Sequence, residues 1–573
     1  MNSKIPNSST DSLSTVPPVF IEYLKTRGIT GGEAAHRFLY PSLADLPKPD
    51  QMLNLSAAAR LAVDYMIAGK QIIIWGDYDV DGTTGTALLV NFFKELGTAV
   101  RWHIPDRMHE GYGLNAEWFT NRGNISLAEE FLLITVDCGI SNAQQVEIIA
   151  KLGGKIIITD HHSMPEQNVP DCLVLNPSQP SCGFNGQHLA GVGVAFYLAA
   201  GIRAELAKRP TTKKIADSAG RLNLKKYLAF VALGTIADVV NLTPTNRILV
   251  RAGLEALADP QFTGLNELLT SCEITGGYVT SEDIGYLIGP KINAAGRLGE
   301  STVVVELLTE ADRKRAKHLA QVLTDLNEQR KRISSENLET ALSITSAGQI
   351  EQDKCVIVKG DLHQGVAGIV ASRLVDMFRV PAIVFAQKRH SDGQVSFVGS
   401  ARSVDGVNIV ALLAKCSQWI ERFGGHEMAA GLTVSADSMT QFSSHFTVLA
   451  GKAVRERKII IKKQYDINCP SELMMDQDHL RCLQLLEPFG PGNPQPVFQD
   501  AAATILDSRA VGRNSEHLQV TIRGKFANLK GIGFRLGEVL EDVQRQPRRK
   551  MIYTPTMNRF RGNVSWQVRV IDI

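Results

Sequence analysis

The chain has 573 residues, more than one hydrophobic core organises, and at ~150 residues per domain it divides into about three or four units. Hydrophobic residues make up 44% and charged residues 21%, ordinary globular usage that excludes wholesale disorder, collagen and coiled coil. The net charge of +2 conceals an asymmetry: from residue 501 onward there are 13 Lys and Arg against 6 Asp and Glu, a net +7, which leaves 48 against 53, a net −5, to the first 500. A basic C-terminal part suits a polyanion partner as well as it suits a solvated surface. The start, MNSKIPNSSTDSLSTVPP, has no apolar stretch, and no uninterrupted apolar run of about 18 residues follows, so neither a secretory leader nor a membrane span is expected and the expected location is cytoplasmic. Eight cysteines without a Cys-x-x-Cys spacing argue against a zinc ribbon, a redox motif or a disulfide framework.

In chain order, residues 1–54 are polar and then carry the apolar anchors Phe38, Leu39 and Tyr40, the pattern of an N-terminal arm that docks on the body. Residues 55–255 alternate short apolar runs (QIIIWG, AVRWHIPD, FLLITVDCG, KIIITDHH, CLVLNP) with helical patterns, a βαβ rhythm that predicts a largely parallel sheet. Residues 256–347 read as a helical linker region, and within it 305–347 has Leu, Ala, Val and Ile at helical spacing with no proline, predicting a long helix or helix pair. A second, smaller α/β pattern covers 348–452, from CVIVKG through GIVASRLVDMF and PAIVFA to GGHEMAAGLTV. After the basic KIIIKK stretch, the short alternating segments of 455–573 fit a small β-barrel. The fold class is therefore α/β: a parallel-sheet domain and a smaller α/β domain joined by a long helix, with a C-terminal barrel.

The chemistry gathers in the first α/β unit. In WGDYDVDG, Asp77, Asp79 and Asp81 follow an apolar run at every second position, and three acids so close repel one another unless a cation is present. Asp137 ends a second apolar run and Asp160-His161-His162 a third. Parallel strands would bring all of them to the carboxyl edge of one sheet, where open α/β sheets bind ligands. Asp238, in LGTIADVV, follows an apolar helical segment and reaches in from the side. Carboxylates with imidazole and no thiolate suit Mn²⁺ or Mg²⁺, and two such ions ~4 Å apart serve hydrolysis of phosphodiesters or phosphoanhydrides. Any one of these aspartates, taken alone, is as well explained by a helix cap or a turn.

The motifs Asp-x-Asp-x-Asp-Gly, V-Asp-C-G, Asp-His-His and G-T-x-A-Asp, with GYGLN (111–115), NAAGRLG (293–299), HQGVAGIVASRL (363–374) and GGHEMAAGL (424–432), resemble the DHH phosphoesterase superfamily, and over most of the chain its bacterial single-strand exonucleases. The resemblance implies a DHH domain facing a DHHA1 domain across a cleft, and an OB-fold at residues 455–573. Carried over, the metal ligands are Asp79, Asp81, Asp137, His161 and Asp238, with Asp137 bridging two ions. Asp77 is a further candidate, because pyrophosphatase-type members carry a histidine two residues earlier and this chain has Trp75. Asp160 would orient the imidazoles, and His162 would contact the scissile phosphate or protonate the leaving oxygen.

For substrate, Gly424, Gly425 and His426 resemble the family's nucleotide-binding element; a glycine turn is their other reading. Arg297, Arg373 and Arg402 lie where a guanidinium can bind phosphate, and His363 and Gly365 precede a helix whose N-terminus suits an anion. GVGV (191–194) reads as a close-packing helix start, and no phosphate-binding P-loop is present. In the tail, Phe526, Phe534, Tyr553, Phe560 and Trp566 alternate with Arg523, Lys525, Arg535, Arg559, Arg561 and Arg569, the mixture that sequence-tolerant single-strand binding uses, with one or two aromatics expected outside the barrel core. The resemblance then implies a monomeric, Mn²⁺- or Mg²⁺-dependent 5′-to-3′ exonuclease releasing 5′-mononucleotides from single-stranded DNA, with a helicase and a single-strand-binding protein as partners in repair and recombination. The alternatives are a phosphodiesterase of short oligonucleotides or cyclic dinucleotides, and a strand-binding scaffold with a decayed site.

Overall fold

The computed structural model describes residues 16–121, 129–184, 186–209, 213–275, 277–390, 393–457, 465–560 and 563–573; the KIIIKK stretch and Arg561 lie outside them. Three sheets organise the chain. The first holds β1 (Gln71–Gly76), β2 (Arg101–His103), β3 (Phe131–Val136), β4 (Gly154–Thr159) and β5 (Leu173–Leu175) in the order β2-β1-β3-β4-β5, all parallel. Its strands are apolar on both faces because helices cover both. Val80–Glu95, Gly191–Leu206 and Leu228–Ala237 pack on one side, and Ala143–Lys151 on the other.

The register decides where the chemistry falls. Gly76 is abreast of Val136, and Val136 of Thr159. The next residue of each strand is an aspartate, and the ladder continues through them: Asp77 N–H donates to Val136 O (3.1 Å), Asp137 N–H to Thr159 O (2.8 Å) and Asp160 N–H to Leu175 O (3.1 Å). The three carboxylates thus stand side by side at the edge where the chain order reverses between β1 and β3, a topological switch point.

The helices of 256–347 do not form a bare connection. Leu265, Ile292, Val304 and Leu323 all belong to the first unit's core. The long element is one helix, Arg313–Ser343, which continues as far as the second unit, where Ala341 is buried with Val370 and Leu374. There β6 (Val356–Gly360), β7 (Ala382–Arg389), β8 (Val395–Arg402), β9 (Arg422–His426) and β10 (Ala429–Ser435) make a sheet in the order β6-β7-β8-β10-β9, antiparallel except for β6–β7. The glycine-rich GGHEMAAGL is the β9–β10 hairpin, and β9 is an exposed edge strand.

The third sheet closes on itself: β11 (Ile467–Asn468), β12 (Phe498–Val511), β13 (His517–Ile522), β14 (Leu529–Gly533), β15 (Arg548–Phe560) and β16 (Asn563–Asp572) run β11-β12-β13-β14-β16-β15, and β12 pairs again with β15. This is the expected barrel, and the N-terminal segment completes it. Phe20, Tyr23 and Leu24 of the helix Pro18–Thr26 are buried in the barrel's own core, with Phe20 edge-on to Phe498 at 6.2 Å.

The barrel is fixed to the first unit by charge. Arg559 makes a two-pronged pair with Asp283 (2.8 and 2.9 Å). Arg247, buried, donates to the carbonyls of Phe38 (3.0 Å), Leu486 (2.9 Å) and Leu485 (2.9 Å), joining three segments distant in sequence. Arg559 is therefore used in docking, which removes it from the expected strand-binding set. Tyr553 is barrel core, its hydroxyl donating to Cys469 O at 3.0 Å. Phe526 and Phe534 stand exposed, and Trp566 is half-buried; the side chain of Phe560 lies outside the described residues. All eight cysteines are free thiols, and no described helix is long and apolar enough to cross a membrane.

Candidate active site

Eight of the predicted residues meet at the carboxyl edge of the first sheet. Asp79 is the N-cap of Val80–Glu95: its Oδ1 accepts from Asp81 N–H (2.9 Å) and Gly82 N–H (3.1 Å). Capping occupies one oxygen and leaves the carboxylate at the helix N-terminus, where negative charge is favoured. Asp81, fully buried, turns into the core side of the site, where its oxygens accept from Gly191 N–H (2.6 Å) and Val192 N–H (2.8 Å). The GVGV segment is thus a helix start, as expected, and its two leading amides hold a carboxylate.

Asp137 sits at the centre. Its backbone has φ of 63°, unusual for a non-glycine residue, which aims its side chain at both neighbours. His161 Nε2 lies 3.1 Å from Asp137 Oδ1, 3.4 Å from Asp238 Oδ2 and 3.8 Å from Asp81 Oδ2. At 3.1 Å the imidazole is not aligned for a hydrogen bond, so Asp137 Oδ1, like Asp77 Oδ1, is a buried oxygen with no hydrogen-bond partner. Buried carboxylate oxygens left in that state are costly.

Electrostatics express that cost. Burial, then the charge of Asp79, pushes Asp77 well above the usual carboxylate range. Burial, then Asp81, Asp79, Asp77 and Asp238, does the same to Asp137, and burial, then Asp238 and Asp79, to Asp81. Asp238, at the C-cap of Leu228–Ala237, is raised to about 7 by burial and Asp79. A cation among them would relieve both terms, and the donor sets fit: Asp77, Asp79 and Asp137 present oxygens within 4.8 Å of one another, as do the ligand atoms of Asp81, His161 and Asp238. Oxygen donors with one imidazole are the set that Mn²⁺ and Mg²⁺ take. Burial and the charge of His162 pull His161 down to about 4, which leaves its imidazole neutral and able to ligate.

Of the two imidazoles, Asp160 bonds that of His162. Its Oδ1 accepts from His162 Nδ1 (2.8 Å) and from the amides of His161 (2.8 Å) and His162 (3.1 Å), and its Oδ2 from Ile140 N–H (2.9 Å). Burial would raise Asp160, but its bonds to His162 and these amides outweigh burial and hold it below the usual range. Burial opposes protonation of His162 too, yet the bond and charge of Asp160, with Asp238 and Asp77, push it up to about 9. The two adjacent histidines are thereby differentiated, one a neutral donor of a lone pair and the other a cation facing the cleft.

That cleft lies between the first and second units. A cavity of about 330 Å³, lined by Asp77, Asp79, His162, Asn293 and Arg297 among others, opens beside one of about 690 Å³ lined by Arg402, Gly365, Gly424 and Gly425. Arg297 and Arg402 spend hydrogen bonds on uncharged groups, the Gly365 carbonyl (3.0 Å) for one and Ser400 Oγ (3.1 Å) and the Ala401 carbonyl (2.8 Å) for the other. Burial and then Arg107 lower the pKa of both, Arg297 to about 10. Half-buried guanidiniums that repel one another are a site for a phosphate.

Three predicted substrate residues are not brought to it. His363 turns its Nδ1 back to accept from Gly365 N–H (3.1 Å), capping its own short turn. Arg373 lies exposed on Ala367–Phe378, close enough to Arg330 of the long helix for the two charges to interact. His426 ends β9, exposed, one residue past the cavity lining. Conversely, the sequence reading missed Tyr78, Arg107, Tyr112 and Phe423, which line the larger cavity. GYGLN pointed at Tyr112, but Arg107 sits in a loop with no periodic signal.

Glycines make the carboxylates' closeness possible. A Cβ on Gly191 would stand 2.6 Å from Asp137 Cβ, and one on Gly234 2.6 Å from Asp81 Oδ1. Gly191→Ala is expected to cost about 1–3 kcal/mol through overpacking and to weaken Mn²⁺ binding, as read by thermal melts and titration; a variant with unchanged affinity would show that the site tolerates displacement of Asp137.

The chain matches the DHH family N-terminal domain over residues 71–235, the DHHA1 domain over 352–450 and the RecJ OB domain over 465–572. It is 34% identical to the single-stranded-DNA-specific exonuclease RecJ of Haemophilus influenzae, covering 92% of each chain, and 31% identical to that of Escherichia coli, covering 99% of this chain and 97% of the relative. The crystal structure of RecJ in complex with Mn²⁺ from Thermus thermophilus superposes with a TM-score of 0.75 at 28% identity, covering 97% of this chain and 78% of that one. With these three domains in this order, and relatives matched along nearly their whole length, the chain belongs to the RecJ family.

Proposed function

We propose that this chain is a divalent-metal-dependent exonuclease that shortens single-stranded DNA from its 5′ end and releases 5′-mononucleotides. The observation that carries the reading is the juxtaposition of a carboxylate-imidazole cluster, with two buried oxygens that have no hydrogen-bond partner, and a cleft lined by Arg297 and Arg402. Relatives that carry the exonuclease name supply the substrate class and its single-strandedness.

In this reading Asp77, Asp79 and Asp137 would hold one ion, and Asp81, His161 and Asp238 the other. Bound there, such ions would supply Lewis-acid chemistry, lowering the pKa of water and offsetting charge on the phosphoryl group. The chain's own residues do the remainder. Arg297 and Arg402 fix a phosphate against the second unit, and the space beside Gly424, empty of protein atoms within 4 Å of where a Cβ would stand, admits the strand next to it. His162, held by Asp160 in its protonated form, faces the cleft as a donor to the phosphate or the leaving oxygen. Exposed Phe526, with Lys525 Nζ 5.4 Å from its ring centre, and exposed Phe534 offer stacking faces on the barrel. A monomeric cytoplasmic enzyme served by a strand-separating helicase and a single-strand-binding protein completes the reading.

The test is time-resolved product analysis on long, 5′-phosphorylated single-stranded DNA labelled at either end, with Mn²⁺ or Mg²⁺ and an EDTA control. Immediate release of labelled mononucleotide from the 5′ end, with a shrinking 3′-labelled ladder, is expected. Turnover confined to di- to pentanucleotides would replace the reading with a short-oligonucleotide phosphodiesterase, and binding without turnover with a scaffold.

A further inference from the structure

We infer that residues 104–115 form a preformed strap locked by His103 and Glu110, and that this lock positions Arg107 for substrate. The inference rests on the exonuclease reading above. The strap leaves β2 and crosses the mouth of the cleft carrying two side chains that face it: Arg107, centred 5.1 Å from the Tyr78 ring, and Tyr112, whose hydroxyl donates to Asp137 O at 3.2 Å and lies 3.2 Å from His162 Nδ1. One segment therefore contributes to the phosphate cleft and to the catalytic histidine together.

Nothing in its local sequence makes it a helix or a strand, so its shape depends on hydrogen bonds to fixed points. The Asp106 carbonyl accepts from the amides of His109 (3.2 Å), Glu110 (2.7 Å) and Gly111 (3.1 Å), winding the segment into a single turn around Arg107. Asp106 Oδ1 accepts from Met108 N–H at 2.7 Å. Glu110 closes the turn: its Oε1 accepts from Asp106 N–H (3.0 Å), and both its oxygens lie within reach of His103 Nε2 (3.2 and 3.1 Å). Because a carboxylate only accepts, Nε2 carries the proton.

The anchor behind the lock is rigid. The His103 ring packs against both Trp75 (4.5 Å between ring centres) and Trp118 (4.7 Å). Trp75, buried under the sheet edge, also donates its Nε1–H to Gly113 O at 3.2 Å, fastening the far end of the strap. Gly111 and Gly113 have φ of 84° and 89°, and a Cβ on Gly113 would stand 2.5 Å from Asn142 Oδ1, so the return path favours glycine. Glu110 touches neither cleft nor acidic cluster, which makes it a positioning residue whose effect passes through Arg107.

The test is a double-mutant cycle of Glu110→Ala and Arg107→Ala, read as KM and kcat on 5′-phosphorylated single-stranded DNA with Mn²⁺, and as strand affinity by fluorescence anisotropy in EDTA. Glu110→Ala is expected to raise KM and the dissociation constant about tenfold, the scale of a lost charge-assisted anchor. It should add nothing in the Arg107→Ala background, and Glu110→Gln, which keeps size and one acceptor, should recover most of the loss. Additive effects, or a lowered kcat with KM unchanged, would overturn the inference, since a merely structural lesion reduces the active fraction and leaves KM alone. If Glu110→Ala fails to fold, the same cycle with Glu110→Gln decides on the smaller coupling. Absence of cleavage by the unaltered chain would instead refute the exonuclease reading, with the anisotropy cycle still deciding on the strap.

Discussion

Asp137→Ala is expected to lower the rate of strand cleavage by at least about a thousandfold while leaving single-strand affinity in EDTA within about twofold. The asymmetry follows from position. Asp137 is the one carboxylate that faces both halves of the cluster: it groups with Asp77 and Asp79 on one side, and its Oδ1 lies 3.1 Å from His161 Nε2 on the other. Removing it breaks both ligand sets and also relieves repulsion on Asp77, Asp79, Asp81 and Asp238, so the fold should not suffer. In the proposed mechanism strand binding depends instead on Arg297, Arg402 and the barrel, none of which belongs to the cluster. Single-turnover rates at saturating Mn²⁺, paired with anisotropy, separate the two quantities. Cleavage within tenfold of the unaltered chain would remove Asp137 from the centre of the mechanism.

The second large effect is on stability, and its sign comes from the raised carboxylates. Asp238 moves from an ordinary 3.8 to about 7 on folding, and Asp77, Asp81 and Asp137 move in the same direction. A group whose folded pKa is raised contributes stability below its unfolded pKa and loses it as pH rises through the folded one. For the metal-free chain the loss therefore runs from about pH 4 upward and, for Asp238, is complete above about 7. A divalent ion binds the folded, ionised cluster and restores what was lost, by about 2.7 kcal/mol at a hundredfold excess over its dissociation constant. Chelator-treated protein should gain several degrees in melting temperature on addition of Mn²⁺ at pH 7.5 and little at pH 5. Equal gains at both values, or the larger gain at pH 5, would mean that the cluster is not the binding site.

Much of the site is legible in the sequence because it depends on local order. Apolar runs of six residues ending in acid are strands by composition, and parallel strands abreast of one another must deliver their next residues to a common edge; Asp77, Asp137 and Asp160 follow directly. The short alternating segments of the tail likewise predicted a barrel, because period-two patterning is a property of neighbouring residues. What the tertiary structure alone decided are the pairings between residues far apart in the chain. Asp160 takes His162 and leaves His161 to the carboxylates, because its Oδ1 is fixed by the two following amides. Arg559 looked like a strand-binding residue until Asp283, 276 positions away, was found to hold it. Arg373 and His426 share the composition of Arg402 and Gly425 yet point elsewhere, since a helix face and a strand end are set by packing and not by neighbours in sequence. Arg107 owes its place to a turn wound on Asp106 and closed by Glu110 against a histidine on β2. Side-chain identity and period determined which residues could do chemistry here; long-range hydrogen bonds and buried charge, which leave no periodic trace, determined which of them do.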